Sequence, residues 1–151
     1  MLQESRPADD RRVRSVAIVN KLLGSRTEVL TLYNRLVGQR PYAKPGVVAP
    51  LLQQFCQALV DYTAHAHFQI YRHFSEKRER RQAVLKVAND IYPQILGITQ
   101  TILDFNDQYD CEDHCDSLGN LDRDLSLLGE KLADLIELED RLIAVFVGRG
   151  A

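Results

Sequence analysis

Apolar residues recur every three or four positions along most of the chain, which is the spacing of an amphipathic α-helix. Four segments carry such a stripe and predict helices over about residues 10–37, 51–74, 82–110 and 118–147. No segment alternates with a period of two, so no strand is predicted. Helices with one apolar stripe each bury those stripes best against one another. We therefore expect an all-α fold, an antiparallel four-helix bundle that forms a single domain over residues 1–151.

The predicted stripes can be read position by position. In the first helix the stripe is Val16, Val19, Leu23, Arg26, Leu30, Tyr33 and Val37. In the second it is Leu52, Phe55, Cys56, Leu59, Tyr62, Ala66 and Ile70, and in the third Val84, Ala88, Ile91, Ile95, Ile98, Ile102, Phe105 and Tyr109. In the fourth it is Leu121, Leu125, Leu128, Leu132, Leu135, Leu142 and Phe146. Pro93 lies opposite the third stripe, and Gly38–Pro50, with three prolines and two glycines, is predicted to be a loop.

Composition narrows the class of protein. The 151 residues are 45% hydrophobic and 26% charged, which excludes an intrinsically disordered chain. No uncharged run is long enough to span a bilayer, and the N-terminus lacks the apolar core of a signal peptide. Three cysteines, an odd number, argue against a disulfide framework. We expect a cytoplasmic protein without membrane contact.

Charge is distributed unevenly along the chain. Residues 1–99 contain 15 Lys and Arg against 8 Asp and Glu, whereas residues 100–151 contain 4 against 13. The acidic third would repel nucleic acid and attract a basic surface, although a charge run is often only a solvated helix face. A basic run at Lys77, Arg78, Arg80 and Arg81 has no interleaved aromatic residues, so direct binding of nucleic acid is not expected.

Two charges fall within the apolar stripes. Arg26 occupies a stripe position of the first helix, and Glu139 lies between Leu135 and Leu142 in the fourth. Burying either ion alone would cost several kcal/mol. We expect the two to meet, or to share a polar cavity with Tyr62 and His67. Such a group is either a satisfied buried pair or a polar interior that shapes or switches a binding surface.

The second helix also carries candidate binding residues away from its stripe. Asp61 and Phe68 project within about 20° of each other, roughly opposite Leu59. An acid beside an aromatic residue suits a protein partner. The alternative is that this helix is central and packed on both faces.

Signals for catalysis are weak. The sequence has no Glu-x-x-His pair of the kind that binds di-iron in bundles, no Gly-rich phosphate loop and no nucleophile elbow. We therefore expect no enzyme activity, no cofactor and no metal. The alternative is a metal- or ligand-binding bundle, in which the ligands would be Asp61, His65 and His67, or Cys111, His114 and Cys115.

An ordered set of short motifs resembles a known family. The run Phe55-Cys56-Gln57-Ala58-Leu59-Val60-Asp61-Tyr62 is followed by His67-Phe68-Gln69-Ile70-Tyr71. Further matches are Leu36-Val37-Gly38, Pro93-Gln94, Asp104 and Asp107 within Leu103–Asp107, and Leu138-Glu139-Asp140. Together they span about residues 18–146 and resemble the Rsd/AlgQ family of bacterial anti-sigma regulators. Where that family carries Asp-Arg-Trp-Leu, this chain has Asn20-Lys21-Leu22-Leu23 and no Trp anywhere.

The resemblance implies a function and a set of site residues. It implies a bundle that binds the C-terminal domain of the primary sigma factor, which reads the promoter −35 element and docks on core RNA polymerase. Other regulatory proteins are further candidate partners. The partner-binding residues carried over are Asp61, Phe68, Tyr71, Asp104 and Asp107, and the supporting polar interior is Arg26, Tyr62, His67 and Glu139.

Overall fold

Four helices pack against one another in a computed structural model that describes residues 7–67, 82–109 and 118–146. Helix α1 spans Pro7–Val37 and α2 spans Pro45–Asp61, which continues directly into a π-helical segment, Tyr62–His67. Helix α3 spans Gln82–Tyr109 and α4 spans Leu121–Phe146. No strand occurs within these ranges. The all-α prediction is therefore confirmed for the described part of the chain.

Helices α1 and α2 both begin at a proline, earlier than predicted. The prediction that Gly38–Pro50 is entirely loop is wrong, because α2 begins at Pro45. Proline suits the first helical turn, where its fixed φ is helical and its missing N–H would have had no helical partner. The loop is thereby shortened to residues 38–44. The Gly38 N–H donates to the Asn34 carbonyl over 3.0 Å and completes the last turn of α1, and the Tyr42 N–H donates to the Gln39 carbonyl over 2.7 Å within the loop.

The far end of α2 widens into the π-helical segment. There the Tyr62 N–H donates to the carbonyls of both Ala58 and Leu59, and the Thr63 hydroxyl donates to the Leu59 carbonyl over 2.8 Å. Short π-helical turns inside α-helices are rare and often lie at functional sites. The remainder of the predicted second helix, residues 68–74, lies outside the described residues.

Neighbouring helices run in opposite directions. Along α1 and α4, Tyr33 donates to the Leu125 carbonyl over 2.9 Å, while Arg26, two turns earlier, contacts residues at the far end of α4. The Phe55 ring of α2 lies at the centre, with ring centroids 5.9 Å from Tyr33 and 6.0 Å from Phe105 of α3. The four helices therefore surround one shared apolar core.

The predicted core is correct for α3 and α4. Every described side chain of the α3 stripe from Ala88 to Tyr109 is buried, and so is the α4 stripe from Leu121 to Leu142. Pro93 is exposed on the opposite side of α3, as predicted, within a helix that continues through it.

The predicted inner face of α1 is only partly correct: Val19 is buried, and Tyr33 and Val37 pack against the core, but the most deeply buried residues lie to one side of the predicted stripe. The buried residues there are Val19, Leu22, Val29, Leu32 and Leu36. By contrast, Val16 is exposed, and the remaining stripe residues after Val19 are only half-buried. The face that points inward is thus rotated by roughly 80° from the predicted one, at 3.6 residues per turn.

Candidate functional site

A charged network lies inside the bundle where α1, the end of α2 and α4 meet. Glu139 of α4 is only 1% exposed, with the buried Leu135 and Leu142 one turn away on either side. The Tyr62 hydroxyl donates a short hydrogen bond to Glu139 Oε1. Arg26 Nη1 of α1 lies 3.6 Å from the same oxygen. The structure thus brings together three of the four residues expected in the polar interior.

Asp140 completes this polar network, which we define as Arg26, Tyr62, Glu139 and Asp140. Arg26 Nη1 donates to Asp140 Oδ1 over 2.9 Å at the edge of the bundle. Asp140 was not among the predicted site residues, because it lies outside the apolar stripe of α4. The one sequence feature that points to Asp140 is its position directly after Glu139 in the motif Leu138-Glu139-Asp140. The guanidinium therefore bridges one buried and one exposed carboxylate.

Burial and the network charges act together on the ionisation of its members. Burial raises the pKa of Tyr62 far above its usual 10, and the carboxylate of Glu139 adds to the increase by its charge and its hydrogen bond. Burial opposes the charge on Arg26, but Asp140 and Glu139 outweigh it, and the pKa of Arg26 rises. At neutral pH the phenol is therefore a neutral donor and the guanidinium a cation.

Asp61 lies next to the network but points away from it. Tyr62 is fully buried, whereas Asp61 is exposed and accepts a hydrogen bond from Gln57 Nε2 over 3.3 Å. The segment that anchors α2 to the interior therefore also presents a carboxylate at the surface.

The predicted acids of α3 lie on a different level of the bundle. Asp104 and Asp107 are both exposed, and Gln100 Nε2 donates to Asp104 Oδ1 over 2.9 Å. Because Phe105 packs on Phe55, Asp104 is close to the level of Phe55, and Asp61 lies six residues further along α2, about 9 Å away along the axis. The partner-facing candidates are therefore spread along the surface rather than clustered at one point.

Several predicted residues fall outside this description. Phe68 and Tyr71 lie outside the described residues, as do Cys111, His114 and Cys115. His67 ends the π-helical segment, and its side chain, like that of His65, is outside the described set. Within residues 7–67, 82–109 and 118–146, no group of three or more His, Cys, Asp or Glu side chains is placed to hold a metal ion. Across the same ranges, no helix has both the length and the apolarity needed to cross a bilayer.

Comparison with known proteins points to one family. Residues 1–147 match the family model described as "Regulator of RNA polymerase sigma(70) subunit, Rsd/AlgQ". The chain is 35% identical to the regulator of sigma D of Enterobacter sp. (strain 638) over 151 residues, which cover 96% of this chain and 89% of that protein. It is 37% identical to the regulator of sigma D of Shigella boydii serotype 4 (strain Sb227) over 139 residues, covering 87% and 85%. The corresponding protein of Yersinia enterocolitica serotype O:8 / biotype 1B is 33% identical, covering 83% and 78%. No solved structure matches the chain significantly.

Proposed function

This chain belongs to the Rsd/AlgQ family of regulators of the RNA polymerase sigma(70) subunit, and on that premise we propose that it sequesters the C-terminal domain of the primary sigma factor. The family consists of regulators rather than enzymes, so its action is stoichiometric binding. Occupying that domain keeps it from the promoter −35 element and from core polymerase. Transcription then shifts toward alternative sigma factors. The protein acts in the cytoplasm, together with the polymerase.

The observation that carries this proposal is the way α2 presents Asp61. Tyr62 anchors the end of α2 to Glu139 inside the bundle, while its neighbour Asp61 is held at the surface. A fixed carboxylate there can pair with a basic side chain without first being ordered, which lowers the entropic cost of binding. Phe68 and Tyr71 follow Asp61 by seven and ten residues in the sequence and supply the aromatic part of the proposed interface.

Charge supports the same partner. A helix-turn-helix that grips DNA phosphates is basic, and the exposed Asp104 and Asp107 of α3 belong to the acidic third of this chain. Opposite charges across an interface speed association and select the partner. Asp61, Phe68, Tyr71, Asp104 and Asp107 are thus the proposed contacts, and the polar network holds the bundle behind them.

Substitution of these contacts tests the proposal by titration calorimetry against the isolated sigma domain. Asp61→Lys reverses a charge in the proposed interface and should weaken binding at least about tenfold. Glu28→Lys makes the same change at an exposed position on α1 and should alter binding less than about twofold. Far-ultraviolet circular dichroism should show unchanged helicity in both. If Asp61→Lys, Phe68→Ala, Asp104→Lys and Asp107→Lys all bind like the wild type, the proposed surface is wrong.

A further inference from the structure

Helix α3 has an outer face unlike that of an ordinary surface helix. Its inner stripe is buried, yet Leu96 is 50% exposed and Leu103 is 38% exposed on the opposite side. They are seven residues apart, so they project in the same direction two turns apart. The solvent face of an amphipathic helix is normally polar. Two large apolar side chains on this face therefore need an explanation outside the bundle.

Two poor helix formers also lie on the exposed side of α3, roughly 70° and 110° around the helix from the two leucines. Pro93 and Gly97 are both exposed and four residues apart in the interior of the helix. A Cβ atom added to Gly97 would meet nothing within 4 Å, so packing inside the bundle does not require glycine there. Glycine and proline both weaken a helix interior. Local rules of this kind are typically broken at functional sites.

We propose that this face of α3 docks a basic helix of the sigma C-terminal domain, an inference that rests on the function proposed above. Without a side chain at Gly97, the partner helix can approach the α3 backbone closely, since the distance between helix axes depends on the side chains at the contact. Leu96 and Leu103, roughly 100–120° around the helix from Gly97, then pack along one flank of the crossing. We call this surface the α3 outer face, formed by Pro93, Leu96, Gly97, Gln100, Leu103, Asp104 and Asp107.

The acids at one end of the α3 outer face determine which occupant fits. Asp104 and Asp107 are three residues apart on one side of the helix, where like charges repel each other. Basic side chains on the partner relieve this repulsion. A second copy docked in parallel would instead place its own Asp104 and Asp107 beside the first pair, and an antiparallel copy would offer them no basic side chain of the α3 outer face. Charge therefore favours a basic helix over self-association.

A matched pair of glycine substitutions tests the proposal on the full chain. Gly97→Ala and Gly24→Ala each place a methyl group in open space on an exposed helix face, since Gly24 of α1 also has nothing within 4 Å of an added Cβ. Both should raise the midpoint of urea unfolding, because alanine favours helix. Gly97→Ala alone should weaken binding to the isolated sigma domain, by about tenfold or more. A variant that folds more stably yet binds less well cannot owe its loss to misfolding.

A leucine substitution provides a second, independent readout. Leu103→Ser should weaken binding about tenfold, whereas Val47→Ser, at a comparably exposed apolar position on α2, should leave it unchanged. Wild-type binding that survives both Gly97→Ala and Leu103→Ser overturns the assignment of the α3 outer face but not the proposed function. Failure of the wild type to bind the sigma domain overturns both. A dimer in sedimentation velocity that Gly97→Ala dissociates would assign the face to a second copy and also overturn the proposal.

Discussion

Replacing Arg26 with methionine should destabilise the bundle far more than removing its better hydrogen bond. Methionine keeps the length of the arginine stem but removes the charge that faces Glu139. Arg26 Nη1 is closer to Asp140, at 2.9 Å, than to Glu139, at 3.6 Å. Distance alone would therefore make the Asp140 contact the more stabilising of the two, whereas burial makes the Glu139 contact the more stabilising.

The magnitudes follow from exposure. Two unit charges 3.6 Å apart interact by about 4–5 kcal/mol at an effective dielectric constant of about 20. The Arg26 side chain is 17% exposed and that of Glu139 is 1% exposed, so part of this is offset by desolvation of the guanidinium. We expect Arg26→Met to cost about 3 kcal/mol, at the lower end for breaking a buried pair. The Asp140 side chain is 58% exposed, so Asp140→Asn should cost only about 0.5 kcal/mol.

Urea unfolding followed by circular dichroism at neutral pH measures these costs, and a double variant tests their origin. Glu139→Gln should destabilise the wild type by about 1–2 kcal/mol, because it weakens a charge-assisted hydrogen bond. In the Arg26→Met background the same change should instead stabilise the protein, since it removes a buried charge that has lost its guanidinium. If Arg26→Met costs no more than Asp140→Asn, or if Glu139→Gln destabilises both backgrounds equally, the reasoning is refuted.

Three further predictions concern other contacts. Because burial and then Glu139 raise the pKa of Tyr62 in the folded state, this residue should contribute up to about 1.4 kcal/mol per pH unit to the loss of stability above about pH 10. Tyr62→Phe should reduce the slope by that amount in urea titrations between about pH 9 and 11.5, while the slope due to Tyr33, Tyr92 and Tyr109, whose pKa values burial also raises, remains. A methyl group on Gly129 would overlap the Tyr33 hydroxyl, so Gly129→Ala should lower the free energy of unfolding of the wild type by about 1–2 kcal/mol. In a Tyr33→Leu background the same change should raise it by up to about 1 kcal/mol, because alanine favours helix. A change of the same sign in both backgrounds would contradict the contact. Arg40→Ala should change the free energy of unfolding by less than about 0.5 kcal/mol despite the 3.0 Å ion pair of Arg40 with Asp122, because both side chains are more than half exposed. A larger loss in urea unfolding would show that exposure does not predict the energy of this ion pair.

The extent to which the core could be predicted differs between helices for a physical reason. Helices α3 and α4 also contain neighbouring apolar pairs, such as Ile95-Leu96 and Leu127-Leu128, but only one regularly spaced apolar stripe runs the length of each helix, so the spacing identifies a single inward face. In α1 the pairs, such as Leu22-Leu23 and Val29-Leu30, extend along the helix and leave two possible stripes. Periodicity cannot decide which member of each pair points inward, and in the folded bundle Leu22 and Val29 are the buried members.

Loop composition and helix type set similar limits. The prolines and glycines before residue 50 are typical of a loop, yet Pro45 is also a favourable first residue of a helix. The π-helical segment at Tyr62–His67 differs from an α-helix in its hydrogen-bond offset, which apolar spacing over one turn does not reveal.

The candidate site divides in the same way. Arg26 and Glu139 could be identified because a charge inside an apolar stripe is costly unless it has a partner. Asp140 could not, because an acid on a solvent-exposed helix face looks like any other. The α3 outer face could not be predicted from the sequence either, because single exposed leucines are common and only the structure shows which residues lie beside them.

The most direct test of the account is a calorimetric titration of this protein into the isolated C-terminal domain of its own primary sigma factor, at two salt concentrations. The account predicts saturable one-to-one binding that weakens at the higher salt, because acidic side chains on α2 and α3 meet a basic partner. No detectable binding at either salt concentration would contradict the central claim that this bundle sequesters the promoter-reading domain.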